Sequence, residues 1–236
     1  MTDDTLTAAL FAHIDDWASP LLTYYDDHSG ERTELSGATL GNWAAKTANY
    51  LVVELGLVPG DDVAVDLPEH WQTAAILLGA WWTGAHVHVT PGSDDPRVVF
   101  TSAAAIDNHS DADELVVASL DPFALGVADL PPGVTDYASA VRVHGDQYSP
   151  SRYSGPALDG ATAAQLLDAA STEAASDGVR PHNRVLSTRE WRTGTGILSN
   201  LVAPMSVGAS LVWVSPTPDT DLASRAASER ADVVLE

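Results

Sequence analysis

The chain has 236 residues, 45% of them apolar and 19% charged, with no cysteine and 33 acidic against 11 basic side chains. That composition excludes a disordered chain, a collagen-like fibre and a disulfide scaffold, and it leaves a globular domain long enough to bury a core. With a net charge of −22 and Lys46 as the single lysine beside ten arginines, neither nucleic acid nor an anionic membrane is an expected partner.

Residues 1–10 carry Asp3 and Asp4 where a secretory leader would carry Lys or Arg, and the longest apolar run, 74–82, is about half a membrane span. A soluble, cytoplasmic protein is therefore expected. Five Asp-Asp pairs sit at predicted turns or helix starts: Asp3-Asp4, Asp15-Asp16, Asp26-Asp27, Asp61-Asp62 and Asp94-Asp95. Hard cations take carboxylate oxygens, but neighbours on a strand face opposite ways and no EF-hand spacing follows, so the pairs read as solvated acidic surface.

Residues 22–25 and 31–35 are extended runs around the polar turn 26–30 closed by Gly30, which predicts a hairpin. Ser36 or Thr39 then offers an N-cap. Leu40, Trp43, Ala44, Ala48, Leu51, Val52 and Leu55 recur at helical spacing until Gly56 stops the run. After the turn Pro59-Gly60-Asp61, residues 63–67 are a short β-branched run, as a buried strand should be. A helix over 69–82 is apolar around most of its circumference and so is expected to lie between layers; Gly84 ends it and 85–89 resumes as a strand. Strand, helix and strand with short joins make a βαβ unit with parallel strands.

Strands are predicted at 97–101 and 115–119. Residues 121–156 hold five of the fourteen prolines and read as a loosely structured connection between two lobes. Beyond it come a helix at 160–176, a strand at 184–188, a helix at 196–207, a strand at 210–214, a helix at 219–229 and a strand at 232–235, with no internal repeat. The expected fold class is α/β: one three-layer domain over 1–236 with a mainly parallel sheet.

Two blocks carry a family pattern. Within 35–91, Pro59, Gly60, Asp61, Val63, Gly84, Ala85 and Pro91 mark a helix ending in Gly, a Pro-Gly-Asp-x-Val turn and strand, an apolar helix, a Gly-Ala pair and a strand running into Pro. Residues 178–214 add a strand, an aromatic-containing turn, a helix, the run Pro204-Met205-Ser206-Val207-Gly208-Ala209 and a strand. In order and spacing these blocks, about 95 residues together, resemble the N-terminal region of adenylate-forming enzymes: acyl-CoA synthetases, luciferases and peptide-synthetase adenylation domains.

The resemblance implies the N-terminal fold of that superfamily and an ancestry in ATP-dependent carboxylate activation. In such enzymes a Ser/Thr/Gly-rich loop ending in Lys cradles phosphate with backbone N–H groups. By position that loop falls at 148–160, where this chain reads YSPSRYSGPALDG. Tyr148, Ser154 and Gly155 match; the Lys and the glycine run are missing, Arg152 is the one cation offered, and Pro150 and Pro156 have no N–H to give. The family's adenine, ribose and hinge motifs and its C-terminal lid fall, in family order, past position 236. The same resemblance sets Trp191 and Arg192 where the family has an aromatic-His pair beside the acyl pocket, with Gly194 and Gly196 opening the next helix. Tyr148, Ser154, Gly155, Trp191, Arg192, Gly194 and Gly196 are thus the candidate binding residues, for ATP, AMP or CoA by resemblance only. No catalytic residue is assigned.

Other constellations read more plainly. His86 and His88, at i and i+2 on a strand, leave one face about 6.5–7 Å apart, which suits a metal given a third ligand such as Asp66 or Asp94. Such a pair is more often solvent-facing or packed polar filler on a strand end, and no metal is expected. There is no G-x-S-x-G elbow for a nucleophilic serine. Gly194-Thr195-Gly196 opens a helix and offers N–H groups to an anion, but no third glycine follows at the spacing of a dinucleotide fingerprint. Trp43, Trp71, Trp81 and Trp82 are read as core or interface anchors; Trp81 and Trp82 diverge on one helix, so one of them is a candidate for a dimer contact.

The leading expectation is a pseudoenzyme: an adenylate-forming-like protein without phosphate loop or lid, binding an acyl or nucleotide ligand or a partner protein. The alternatives are a minimal AMP-dependent acyl ligase half that borrows a lid from another chain, and a structural or regulatory homodimer.

Overall fold

The computed structural model describes residues 4–89, 96–150 and 152–236; Asp3, Pro91 and the Asp94-Asp95 pair therefore lie outside the described residues. In chain order the first half carries α1 (Leu6–Phe11), β1 (Pro20–Asp26), β2 (Glu31–Ser36), α2 (Gly37–Val53), β3 (Asp62–Asp66), α3 (Trp71–Thr83), β4 (His86–His88), β5 (Val98–Ser102) and a 3-10 helix (Ala103–His109). There follow β6 (Leu115–Ala118), β7 (Val134–Asp136), α4 (Tyr137–Arg142), β8 (Pro156–Leu158), β9 (Ala161–Thr162), α5 (Ala163–Ser176) and β10 (Arg184–Ser187). The last part is α6 (Gly194–Ile197), a π-helical turn (Leu198–Val202), α7 (Ala203–Ser206), β11 (Ser210–Ser215), α8 (Leu222–Glu229) and β12 (Val233–Leu235). The class is α/β, with helices flanking two mostly parallel sheets where the sequence predicts one.

The chain divides into two compact units, Met1–Ala8 with Gly41–Ala164, and Ala9–Leu40 with Gln165–Glu236. In the first, the sheet runs β7-β6-β5-β3-β4-β8-β9, parallel throughout except for the antiparallel pair β8–β9. Its core helix is α3, in which every residue but Trp82 is buried. His70 caps the N-terminus through Nδ1, which accepts from the Gln72 N–H, and Gly84 closes the C-terminus at φ +83 with its N–H turned back to Ala80 and Trp81. The Thr7 hydroxyl donates to the Leu78 carbonyl at 2.6 Å, tying the start of α1 to α3.

Residues 121–156 are more ordered than their composition suggests. They contain β7, paired to β6, and α4, whose Tyr137 is wholly buried, edge-on to Phe100 at 6.1 Å and bonded to Thr47 at 2.8 Å. The Thr47 hydroxyl spends its proton on the Trp43 carbonyl, so Tyr137 is the donor to Thr47. Elements of three and six residues are too short to set up a readable apolar period.

In the second unit the order is β12-β10-β11-β1-β2, with β2 antiparallel to β1 and the rest parallel. The predicted hairpin is β1–β2, and Ser36 Oγ accepts from the Thr39 N–H as the N-cap of α2. Leu186, Val212 and Val214 form a core onto which Leu222 and Ala226 of α8 pack. No described helix is long and apolar enough to cross a membrane.

Candidate functional site

In the first unit the stretch resembling a phosphate loop is packed at Tyr148, Tyr153, Ala157 and Leu158, and the residues just before it are tied to α2. Lys46 on α2 donates to the His144 carbonyl at 2.8 Å and pairs with Asp146 at 2.5 Å. Asn49, one turn on, gives its amide to the Gly145 and Gln147 carbonyls. Tyr148 is half-buried, its ring edge-on to Trp82 at 5.8 Å, and burial raises its hydroxyl above the ordinary tyrosine range.

Tyr153 folds back over three glycines: a Cβ on Gly155 would meet its hydroxyl at 2.2 Å, one on Gly60 at 2.9 Å, and one on Gly84 would stand 3.1 Å from its Cβ. Leu158 of β8 then pairs with Val87 of β4, and the Trp81 indole donates to the Ala157 carbonyl at 3.0 Å. Of the residues predicted here, Tyr148 and Gly155 serve this packing, while Ser154 is exposed. Trp81 is buried and Trp82 half-buried against Tyr148.

Beside the strap, at the amino ends of β3 and β4, lies the histidine pair. His86 Nδ1 and His88 Nε2 both stand 2.8 Å from Asp62 Oδ1, with their rings 4.1 Å apart. Parallel register sets Asp62 opposite His86 and Ala64 opposite His88, which brings Asp62 onto the same face. The Gly160 N–H donates to His86 Nε2 at 2.8 Å, so the ring proton sits on Nδ1 and points at Asp62. Burial, then the neighbouring His88, outweighs the pull of Asp62 and holds His86 below the usual histidine range. Asp66, the third ligand suggested by sequence, instead meets His109 at 2.8 Å, and Asp94 lies outside the described residues. Of the acidic pairs read as solvated surface, Asp62 holds these histidines and Asp27 holds Arg225 at 2.7 Å.

At the carboxyl ends of the same sheet, where open α/β folds bind ligands, polar groups are buried. Gln72 is fully enclosed; its Nε2 donates to the Asp121 carbonyl at 2.9 Å, while its Oε1 and the Thr101 hydroxyl have no partner among the described residues.

In the second unit the carboxyl end of β10 leads into the turn holding the other predicted residues. Trp191 is buried, edge-on to Trp213 at 6.2 Å, and Trp213 stacks on Tyr24 at 5.6 Å. The Trp213 indole donates to the Arg189 carbonyl at 2.9 Å. Trp191 is thus a core anchor of the turn, and Arg192 is exposed beside it. Gly196 is required by a close approach, because a Cβ there would stand 2.8 Å from the Glu190 carbonyl oxygen. Thr193 caps α6, its hydroxyl accepting from the Gly196 N–H and its carbonyl from Ile197, so two of the N–H groups that an anion would need are already used.

The sequence predicts a regular helix over 196–207; a π-helical turn interrupts it, a feature that often accompanies function. Inside that turn Asn200 is buried, donates to the Glu190 carbonyl at 2.7 Å, and has no partner for Oδ1 among the described residues. Sequence reasoning gave Asn200 no binding role; the one signal was a polar residue on an otherwise apolar helical face. The seven predicted residues fall in both units, Tyr148, Ser154 and Gly155 in the first, and Trp191, Arg192, Gly194 and Gly196 in the second.

Sheet order, the βαβ passage through α3 and the turn after β10 define the class: this is the fold of the N-terminal domain of adenylate-forming enzymes. The chain matches an acyl-CoA synthetase of Brucella canis with a TM-score of 0.76 at 16% identity, covering 98% of this chain and 46% of that one. It matches a benzoate CoA ligase of Burkholderia xenovorans LB400 with a TM-score of 0.71 at 19% identity, covering 98% and 49%. For the N-terminal domain of FACL13 from Mycobacterium tuberculosis the TM-score is 0.67 at 18% identity, covering 97% and 61%. The chain spans about half the length of the first two of these structures. By sequence it is 44% identical over 225 residues to the TIGR03089 family protein of Mycobacterium tuberculosis, covering 93% of each chain. The chain belongs to the TIGR03089 family. No family model matches it.

Proposed function

We propose that this chain is a non-catalytic member of the adenylate-forming fold, a cytoplasmic protein that binds a small acyl or nucleotide ligand, or a partner protein, without activating a carboxylate. One observation carries the reading: the segment at the phosphate-loop position is built as a packed strap. A triphosphate cradle needs outward-facing N–H groups and a cation free to meet the charge. Here the only lysine is spent on the His144 carbonyl and Asp146, which leaves the exposed Arg152 as the loop's one cation, two prolines remove N–H groups, and Tyr153 covers Gly155. These residues do not fit ATP.

The buried, unpartnered oxygens of Gln72, Thr101 and Asn200 support a binding role, since each costs about 1–3 kcal/mol unless something satisfies it. The net charge of −22 supports a partner that is not nucleic acid.

Calorimetry with MgATP, up to several millimolar, is expected to give no saturable heat, and the isolated chain is expected to release no pyrophosphate from ATP with acetate, benzoate or a fatty acid. AMP, CoA or a fatty acid is expected to raise the melting temperature without turnover. Saturable MgATP binding, or pyrophosphate release by the chain alone, overturns the reading.

A further inference from the structure

We propose that Asp62, His86 and His88 form a three-ligand site for a divalent first-row transition metal of the zinc or cobalt type. Two imidazoles and one carboxylate are the donor set such ions prefer, and the three donor atoms lie within 4.8 Å of one another. Both imidazole nitrogens converge on the single atom Asp62 Oδ1 at 2.8 Å. Metal–ligand bonds of about 2.0–2.2 Å set donors about 3.3 Å apart around a tetrahedral ion, so the cluster opens by about half an ångström to admit one.

Rigid elements hold all three ligands. His86 and His88 alternate on β4, and Asp62 is fixed opposite His86 by the parallel ladder. The cluster is half-buried, which leaves water the remaining coordination positions.

One contact has to yield. Metal on His86 Nδ1 moves the ring proton to Nε2, where the Gly160 N–H now donates, so that hydrogen bond must open. Gly160 lies in the exposed turn between β8 and β9, outside the strands that carry the ligands, so the change is local. The sequence offers Asp66 or Asp94 as a third ligand; the register of β3 against β4 supplies Asp62 instead.

The test is titration of the full chain with Co²⁺, followed by its d–d absorption, and with Zn²⁺ by calorimetry. One equivalent is expected to bind, with faster hydrogen exchange at the Gly160 amide and affinity at least about tenfold lower in Asp62→Asn and in His88→Gln. If either variant fails to fold, sub-stoichiometric Co²⁺ on the unaltered chain decides: the ring signals of His86 and His88 shift or broaden, and those of His13, His28, His109 and His182 do not. Absence of binding, equal binding by folded variants, or perturbation centred on other histidines overturns the proposal. MgATP binding is measured separately, so failure here and failure of the non-catalytic reading are distinct results.

Discussion

At Gly79 an added Cβ would stand 2.5 Å from Thr47 Cβ and 2.9 Å from the Ala44 carbonyl oxygen, so α3 meets α2 at a distance only glycine permits. Alanine improves helix propensity by at most about 1 kcal/mol, whereas overfilling a packed crossing costs about 1–3 kcal/mol or more. Neither obstacle is the far end of a flexible side chain, so neither yields cheaply. Gly79→Ala is therefore expected to lower stability by about 1–2 kcal/mol in urea denaturation, and an unchanged or raised midpoint would refute the close crossing. Residue-scale legibility follows the same division. The pairing of His86 with His88 is written in their spacing, but the partnership with Asp62 depends on strand register, and Lys46 gives no local sign that its charge is spent 98 positions away.

Besides its apolar packing and the Arg225–Asp27 pair, α8 places one carboxylate in a network with β1, β2 and β10. Glu229 accepts from Arg184 and Tyr25 and pairs with Arg32 at 3.1 Å. Burial by itself would raise its pKa, but the hydrogen bonds from Arg184, Tyr25 and Arg32 prevail and hold it down from 4.5 to about 2. Because the folded value is depressed, the stabilisation is present above the unfolded value and disappears as pH falls from about 4.5 toward 2. The stabilisation so linked to pH is on the order of 3 kcal/mol. Glu229→Gln is expected to flatten that part of the stability-against-pH curve relative to the unaltered chain, measured by urea denaturation between pH 7 and 3. Equal slopes would mean that the network carries no linkage.

At this scale the sequence was informative where an element is long or punctuated. The buried run of α3 closed by Gly84, the hairpin around Gly30 and the alternation from β10 to β12 all lie within three residues of their predicted bounds. What escaped were β7 and α4, too short for periodicity, and the π-helical turn around Asn200. That turn is a change of hydrogen-bond register to which composition is blind.

Over the whole molecule, 33 acidic side chains face 11 basic ones. Exposed ion pairs are worth little individually, while like-charge repulsion summed over a surface opposes the compact state. Screening within about 8 Å at physiological ionic strength relieves that repulsion. The melting temperature is expected to rise by a few degrees between 10 mM and 500 mM NaCl, and a fall on adding salt would show that the arginine-carboxylate pairs outweigh the net charge. Fold class was readable at this scale from alternation alone, whereas the division into two sheets was not, because strand order depends on pairings distant in sequence.

Among the described residues, β2 ends the second sheet, and no further strand pairs with its outer edge. The strand reads ERTELS, so a neighbour docking there would have to bury Glu31, Arg32 and Glu34 against its own backbone. Those charges act as gatekeepers: they deter strand-to-strand stacking into fibres, and they do so without lengthening the sheet or covering it with another helix.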